Sequence, residues 1–196
     1  GIITLGKDNA FLTADEQYEF NEVKATEGID PTWDAGVVVK TYAIGDYVWI
    51  DEDKDGQQGS EEDPLDGVTV ELYKWEDGSR SEDPVATTTT DENGKYLFDE
   101  LEAGEYQVRF VLTKEQQEKY YFTEYSEGDA EYDSDAGVRG YSERFILNDD
   151  SIDPEYSDQD YKATQGVDPT WDAGVVERTY AIGDYVWIDD NRNGLQ

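Results

Sequence analysis

Cysteine, histidine and methionine are all absent from this 196-residue chain, and basic side chains number 15 against 49 acidic ones. The missing cysteines exclude disulfides and thiolate metal sites. The missing histidines remove imidazole acid–base chemistry, Ser-His-Asp triads and histidine-ligated zinc together. The shortage of Lys and Arg leaves a formal net charge of −34. That balance offers no basic patch for a phosphate backbone, so no nucleic-acid partner is expected. No leader pattern is visible and no apolar run is long enough to cross a bilayer, so no membrane insertion is expected of this segment.

What is present can build a core. Aromatics make up 13% of the chain, with 15 Tyr and 5 Trp, many inside short β-branched runs. Disordered acidic chains lack such residues. Compaction nonetheless crowds like charges, and self-repulsion opposes it. Part of the acid is therefore expected to be structural, gathered around cations.

The strongest organisational signal is internal. Residues 25–58 and 163–196 are identical at 25 of 34 positions, at a fixed offset of 138. That period suits a whole domain. The chain reads as a window on a tandem array: residues 1–40 as the end of a preceding repeat, 41–178 as one complete repeat, and 179–196 as the first strand and partial loop of the next. Between the motifs WDAGVV and IGDYVW lie only Val39-Lys40-Thr41-Tyr42-Ala43, or Glu177-Arg178-Thr179-Tyr180-Ala181 at the second junction. No flexible linker separates the repeats, so neighbouring copies are expected to sit end to end as a stiff rod.

Within the complete repeat the patterning predicts strands. Ala43–Asp51 is an aromatic and β-branched run. Val68–Lys74 alternates with Val68, Val70 and Leu72 on one face, and Glu105–Leu112 with Tyr106, Val108, Phe110 and Leu112 inward. Val85–Thr90, Tyr96–Phe98, Tyr120–Tyr125, Ser142–Leu147 and Thr170–Val176 complete the set. A turn is expected at 91–94, and a short helix after Thr113, which has capping-box spacing with Gln116. Trp49 and Trp187 read as packing residues. The fold class expected is all-β, a sandwich with acidic turns.

The acidic turns carry the chemistry. In Asp51-Glu52-Asp53-Lys54-Asp55-Gly56-Gln57, oxygens stand at loop positions 1, 3 and 5, Gly at 6 and the Gln57 carbonyl at 7; Glu62 falls at 12. A hard cation takes six to eight oxygens, and this is the ligand spacing of an EF-hand-type calcium loop, here without flanking helices. The second copy keeps Asp189, Asn191 and Asn193, a weaker set because two carboxylates become amides. Asp133 and Asp135 alternate in the same manner. Asp172, and its copy Asp34, are further candidate ligands. The competing reading of each cluster is an acidic, solvated turn. Hydrolysis by paired carboxylates needs two specially placed acids. No pair stands out, and no enzyme activity is expected.

These motifs resemble the B domains of serine–aspartate-repeat surface adhesins of Gram-positive bacteria, a branch of the Cna protein B-type domains. The matching stretches are IGDYVWIDEDKDGQQ (44–58), LDGVTVELY (65–73), TTTDENGKYLFDEL (88–101), AGEYQVRF (103–110), DSDAG (133–137) and WDAGVV (171–176). The resemblance implies a prealbumin-like Greek-key sandwich in tandem copies. It implies Ca2+ at Asp51, Asp53, Asp55, Gln57 and Glu62, with Asp133 and Asp135 at the second acidic cluster. It also implies an extracellular, cell-wall-anchored location, where the repeats hold a ligand-binding head away from the wall. Gly59, where the family often has another acid, and the acidic insertion from Asn148 to Asp168 depart from the pattern; the insertion is expected to add a cation or a lateral contact. Related domains form a Lys–Asn isopeptide bond. The first strand here lacks the Lys, and Asn93 reads as a turn residue, so no such crosslink is expected.

The function expected is a calcium-stiffened spacer whose partners are neighbouring repeats, with any host ligand held by a distal domain. Two rivals remain: a head-to-tail filament built by strand exchange between partial repeats, and a module that itself binds host protein or carbohydrate.

Overall fold

A computed structural model describes residues 37–123, 132–157, 159–183, 188, 190, 192 and 193. The chain divides into two units, Gly1–Val39 and Lys40–Gln196, and the architecture below is that of the second. Asp34, Trp187, Asp189 and Asn191 lie outside the described residues.

The described elements, in order, are β1 (Tyr42–Ile50), β2 (Thr69–Glu76), β3 (Ser79–Arg80), β4 (Ala86–Thr89), β5 (Lys95–Leu101), β6 (Gly104–Val111), α1 (Lys114–Lys119), β7 (Tyr120–Phe122), β8 (Phe145–Leu147), β9 (Val167–Asp168) and β10 (Ala173–Glu177). They form an all-β sandwich. One sheet runs β5-β1-β10-β7 with β9 also beside β1; the other runs β3-β2-β6-β8 with β4 also on β2.

The alternation in the sequence becomes the facing layers of the core. Val70 lies opposite Phe110 and Leu72 opposite Val108 in the antiparallel β2–β6 pair. All four are essentially inaccessible. Tyr96 meets Phe98 and Phe110 edge-on, at 5.9 and 5.7 Å between centroids. Trp49 is fully buried, as its place in the strand pattern requires. Each such side chain contributes about 1.5–3 kcal/mol by leaving water. The helix forms where the capping box predicts it: Thr113 Oγ1 accepts from Gln116 N–H, and Gln116 Oε1 accepts from Thr113 N–H.

Two features escape the sequence patterning. The patterning places no strand between Lys74 and Val85, yet Asp77 and Gly78 take φ of +51° and +78° and fold β2 and β3 into a tight hairpin. The insertion from Asn148 to Asp168, for which no strand is read, packs as a strap. Its Ala163 and Val167 join Ala43 in a second small core, flanked by Leu97, Tyr156 and Tyr161.

β1 and β10 pair directly. These are the first and last long strands, they are neighbours, and they run parallel, with Val48 opposite Ala173, Trp49 opposite Gly174 and Ile50 opposite Val175. Parallel neighbours start at the same end of a sheet and finish at the other. The polypeptide therefore enters this sandwich at one end and leaves it at the opposite end. Gly174 permits the close approach: a Cβ there would lie 2.8 Å from Thr123 Cγ2 and 3.0 Å from Trp49 Cζ2.

Candidate metal centre

Asp51 follows the last residue of β1, and its backbone N–H bonds Val175 O of β10 at 2.8 Å. Its side chain is buried and accepts hydrogen bonds from the N–H groups of Lys54 (2.7 Å), Asp55 (3.2 Å) and Gly56 (3.1 Å) and from Thr123 Oγ1 (2.5 Å). The loop can wrap this carboxylate because Lys54 and Gly56 adopt φ of +66° and +76°; glycine does so without steric cost. Asp53 and Asp55, both exposed, bring one carboxylate oxygen each to within 4.8 Å of an Asp51 oxygen. Three of the expected ligands thus converge.

Glu62 and Gln57 have other geometry. Glu62 Oε1 accepts from Glu52 N–H at 2.9 Å and Oε2 from Gly59 N–H at 2.7 Å, so this side chain clips the base of the loop and stands outside the converging group. Gln57 bonds Asp55 Oδ1 through its N–H and pairs across an isolated bridge with Asp133. That bridge, with Ser134 N–H to Gly56 O at 3.0 Å, lays the 132–137 segment against the first loop.

Asp135, on that segment, opens a second centre. Its N–H bonds Asp172 O and its Oδ2 accepts from Asp172 N–H, both at 3.0 Å. Asp172, just before β10, is completely buried. Its Oδ1 accepts from Tyr47 N–H of β1 at 2.9 Å, whereas its Oδ2 is buried with no hydrogen-bond partner. Burial raises the Asp172 carboxyl well above the carboxylate range, and the nearby charges of Asp46, Asp135 and Asp133 add to this. Burial pushes Asp135 up to about 7, against the relief given by the Asp172 N–H, with Asp133 and Asp168 pushing the same way. Asp168 is raised by burial too, although Thr170 donates to it.

The donors fit a hard divalent cation. At the rim, oxygens of Asp51, Asp53 and Asp55 lie within 4.8 Å of one another; on the inner seam, Asp172 Oδ2 has no partner and burial penalises the charge of Asp172 and Asp135. Such an ion would reverse the local pKa logic by supplying the missing positive charge. Asp51, Asp53 and Asp55 would hold one ion at the rim; Asp135 and Asp172, with Asp133 beside them, would hold another inside. Asp46 was missed by reading spacing alone. It sits in the strand motif IGDYVW, and the signal was an acid inside an otherwise aromatic and β-branched run. Asn193 is described and exposed, whereas its companions Asp189 and Asn191 lie outside the described residues.

The family model of the SdrD B-like domain matches residues 42–175. Serine-aspartate repeat-containing protein F of Staphylococcus epidermidis is 37% identical over 155 residues, covering 79% of this chain and 7% of that protein. Serine-aspartate repeat-containing protein D of Staphylococcus aureus is 34% identical over 167 residues in strain MW2 and 38% in strain Newman, covering 84% of this chain and 10% of those proteins. The chain therefore spans a tenth or less of these relatives. Among solved structures, the pilus adhesin (RrgA) from Streptococcus pneumoniae aligns with a TM-score of 0.30 at 12% identity, over 74% of this chain and 16% of that one. By its family match and its relatives, this chain belongs to the SdrD B-like domain family.

Proposed function

We propose that this chain is a calcium-stiffened spacer repeat from the stalk of a bacterial cell-surface adhesin, structural rather than catalytic. The observation that carries the reading is the buried Asp172 with its unpartnered Oδ2, packed beside Asp135. A carboxylate in that position costs several kcal/mol unless it is neutralised by a proton or a cation. At the pH and calcium level outside a cell, a bound Ca2+ is the available neutraliser.

The residues around both centres tell what such an ion stabilises. Asp51 touches β1 through its own chain, β10 through Val175 and the end of β7 through Thr123. Asp172 and Asp135 tie β10, the 132–137 segment and Tyr47 of β1. Both centres fasten the seam between the strands by which the chain enters and leaves. Neutralising them stabilises the folded state by mass action and removes repulsion across the seam.

The ends of the repeat support a spacer as well. Where the chain enters, Thr41 exchanges two hydrogen bonds with Thr164 of the strap, Tyr42 Oη donates to Asp149 Oδ1 at 2.8 Å, and Lys40 pairs with Asp149. Where it leaves, Arg178 bonds Lys119 O through its backbone and Gln117 O and Tyr120 O through Nε. Lys40 and Arg178 occupy the same position of the repeat, 138 residues apart. In an array one junction residue would hold both sets of bonds, leaving little free chain to flex.

The test is the melting temperature and protease resistance of the chain in millimolar calcium and in chelator. Calcium is expected to raise both, and chelator to reverse the gain. Identical behaviour in the two conditions would overturn the proposal.

A further inference from the structure

Arginine is concentrated around the β3-β2-β6-β8 sheet. Four of the six arginines, Arg80, Arg109, Arg139 and Arg144, belong to this sheet or to the segment running along its edge. Arg80 lies 4.4 Å from the ring centre of Tyr73 and 5.0 Å from that of Tyr141; Arg109 lies 4.8 Å from the same Tyr141 ring. Two guanidinium groups thus share one tyrosine. Arg109 is neutralised by Glu71 at 3.2 Å, and Arg144 by Glu105 at 3.3 Å.

Arg80 and Arg139 have no carboxylate partner among the described residues, in a chain with more than three acids for every base. Both line one open cavity of about 610 Å³ with Gln107, Val138 and Tyr141. Arg139 and Val138 also border a neighbouring cleft of about 320 Å³ that includes Arg109 and Arg178. The turn that presents Arg139 is fixed in shape. Gly140 has φ of +78°, its carbonyl accepts from Phe110 N–H at 2.8 Å, and a Cβ there would lie 2.1 Å from Phe110 O. Val138 beside it is almost wholly exposed.

We propose that this groove is a docking site for an acidic peptide segment of another protein, whose carboxylates engage Arg80 and Arg139 while an apolar side chain covers Val138. Charge complementarity selects the occupant: guanidinium forks match carboxylates in two-point geometry, and stacking on tyrosine holds them preorganised. The tyrosine faces are already covered by guanidinium groups, which disfavours a sugar that would stack there. The net charge of −34 repels a long polyanion far more than a short segment with a few acids.

The test is fluorescence anisotropy of a labelled peptide alternating glutamate and leucine, titrated with the full chain at fixed free calcium and low salt. Saturable binding is expected, weakening as salt is added and falling roughly tenfold or more in R80E/R139E. Arg144→Gln, on the same face but paired with Glu105, is expected to change affinity by less than about twofold. Both target side chains are exposed, so the unfolding midpoint of the variant checks that the fold is kept. Absence of binding, or binding insensitive to R80E/R139E, would overturn the proposal. So would tighter binding by that variant, which marks calcium bridging between acids, or self-association of the chain lost in the variant, which assigns the groove to a second copy.

Discussion

The two acidic centres use the same residue type in opposite ways. At the rim, Asp53 and Asp55 are exposed and Asp51 is buried, but every Asp51 oxygen is met by N–H or O–H donors. Inside, Asp172 and Asp135 are joined through backbone hydrogen bonds with other acids nearby, and one oxygen of Asp172 has no donor. The rim loop is shaped by its own backbone and tolerates an empty state, whereas the inner pair carries an unbalanced cost that only a proton or a cation removes. Acid count alone does not identify where a cation matters; burial and unmet hydrogen-bonding capacity do.

The largest expected difference between the centres is in pH dependence. In chelator, folded Asp135 titrates near 7, above its ordinary range. The folded state then holds a proton that the unfolded state has lost. The contribution of Asp135 to stability is therefore fully present below about pH 4 and is lost as pH rises from there to about 7, on the order of 4 kcal/mol in all. Millimolar calcium is expected to flatten or invert that slope. Urea unfolding at pH 5 and pH 8, with and without calcium, measures both; a metal-free slope of the opposite sign would break the comparison.

Next in size is Asp172→Asn. Asn is neutral without taking up a proton on folding, so the variant is expected to raise the unfolding midpoint in chelator at neutral pH and to lose about 2–3 kcal/mol of calcium-dependent stabilisation. A change of the same sign in both conditions would contradict the inner centre. Asp53→Asn with Asp55→Asn is expected to reduce calcium-dependent stability by about 1 kcal/mol and to leave the unfolding midpoint in chelator nearly unchanged, because both side chains are exposed. Smallest is Glu62→Gln. If Glu62 is a clip on Glu52 and Gly59 rather than a ligand, the loss is roughly 0.5–1 kcal/mol and equal in both conditions. A loss confined to calcium would make it a ligand.

Much of this was legible in the sequence. Period-two patterning located β2 and β6 because one face of each is buried, and the repeat isolated WDAGVV, whose Trp171 stacks on Phe145 at 3.9 Å and whose Gly174 lets β10 approach Trp49. The rim loop was readable because its converging acids are close together in sequence. The inner centre was only half readable. Asp133, Asp135 and Asp172 could be named, but their meeting depends on the β1–β10 pairing and on residues 37 apart along the chain. Asp46 was hidden because strand patterning assigns an alternating polar residue to solvent. The packing of the strap was hidden too: Ala163 and Val167 are too few to register as a core until Leu97 and Tyr156 close over them.

Infrared spectroscopy reads the protonation of the inner carboxyls directly. In chelator at mildly acidic pH, the spectrum is expected to contain the carbonyl stretch of a buried, protonated carboxylic acid. That band should vanish when calcium is added and should be diminished in Asp172→Asn. If the band is missing, or persists unchanged at saturating calcium, divalent ions do not neutralise this seam.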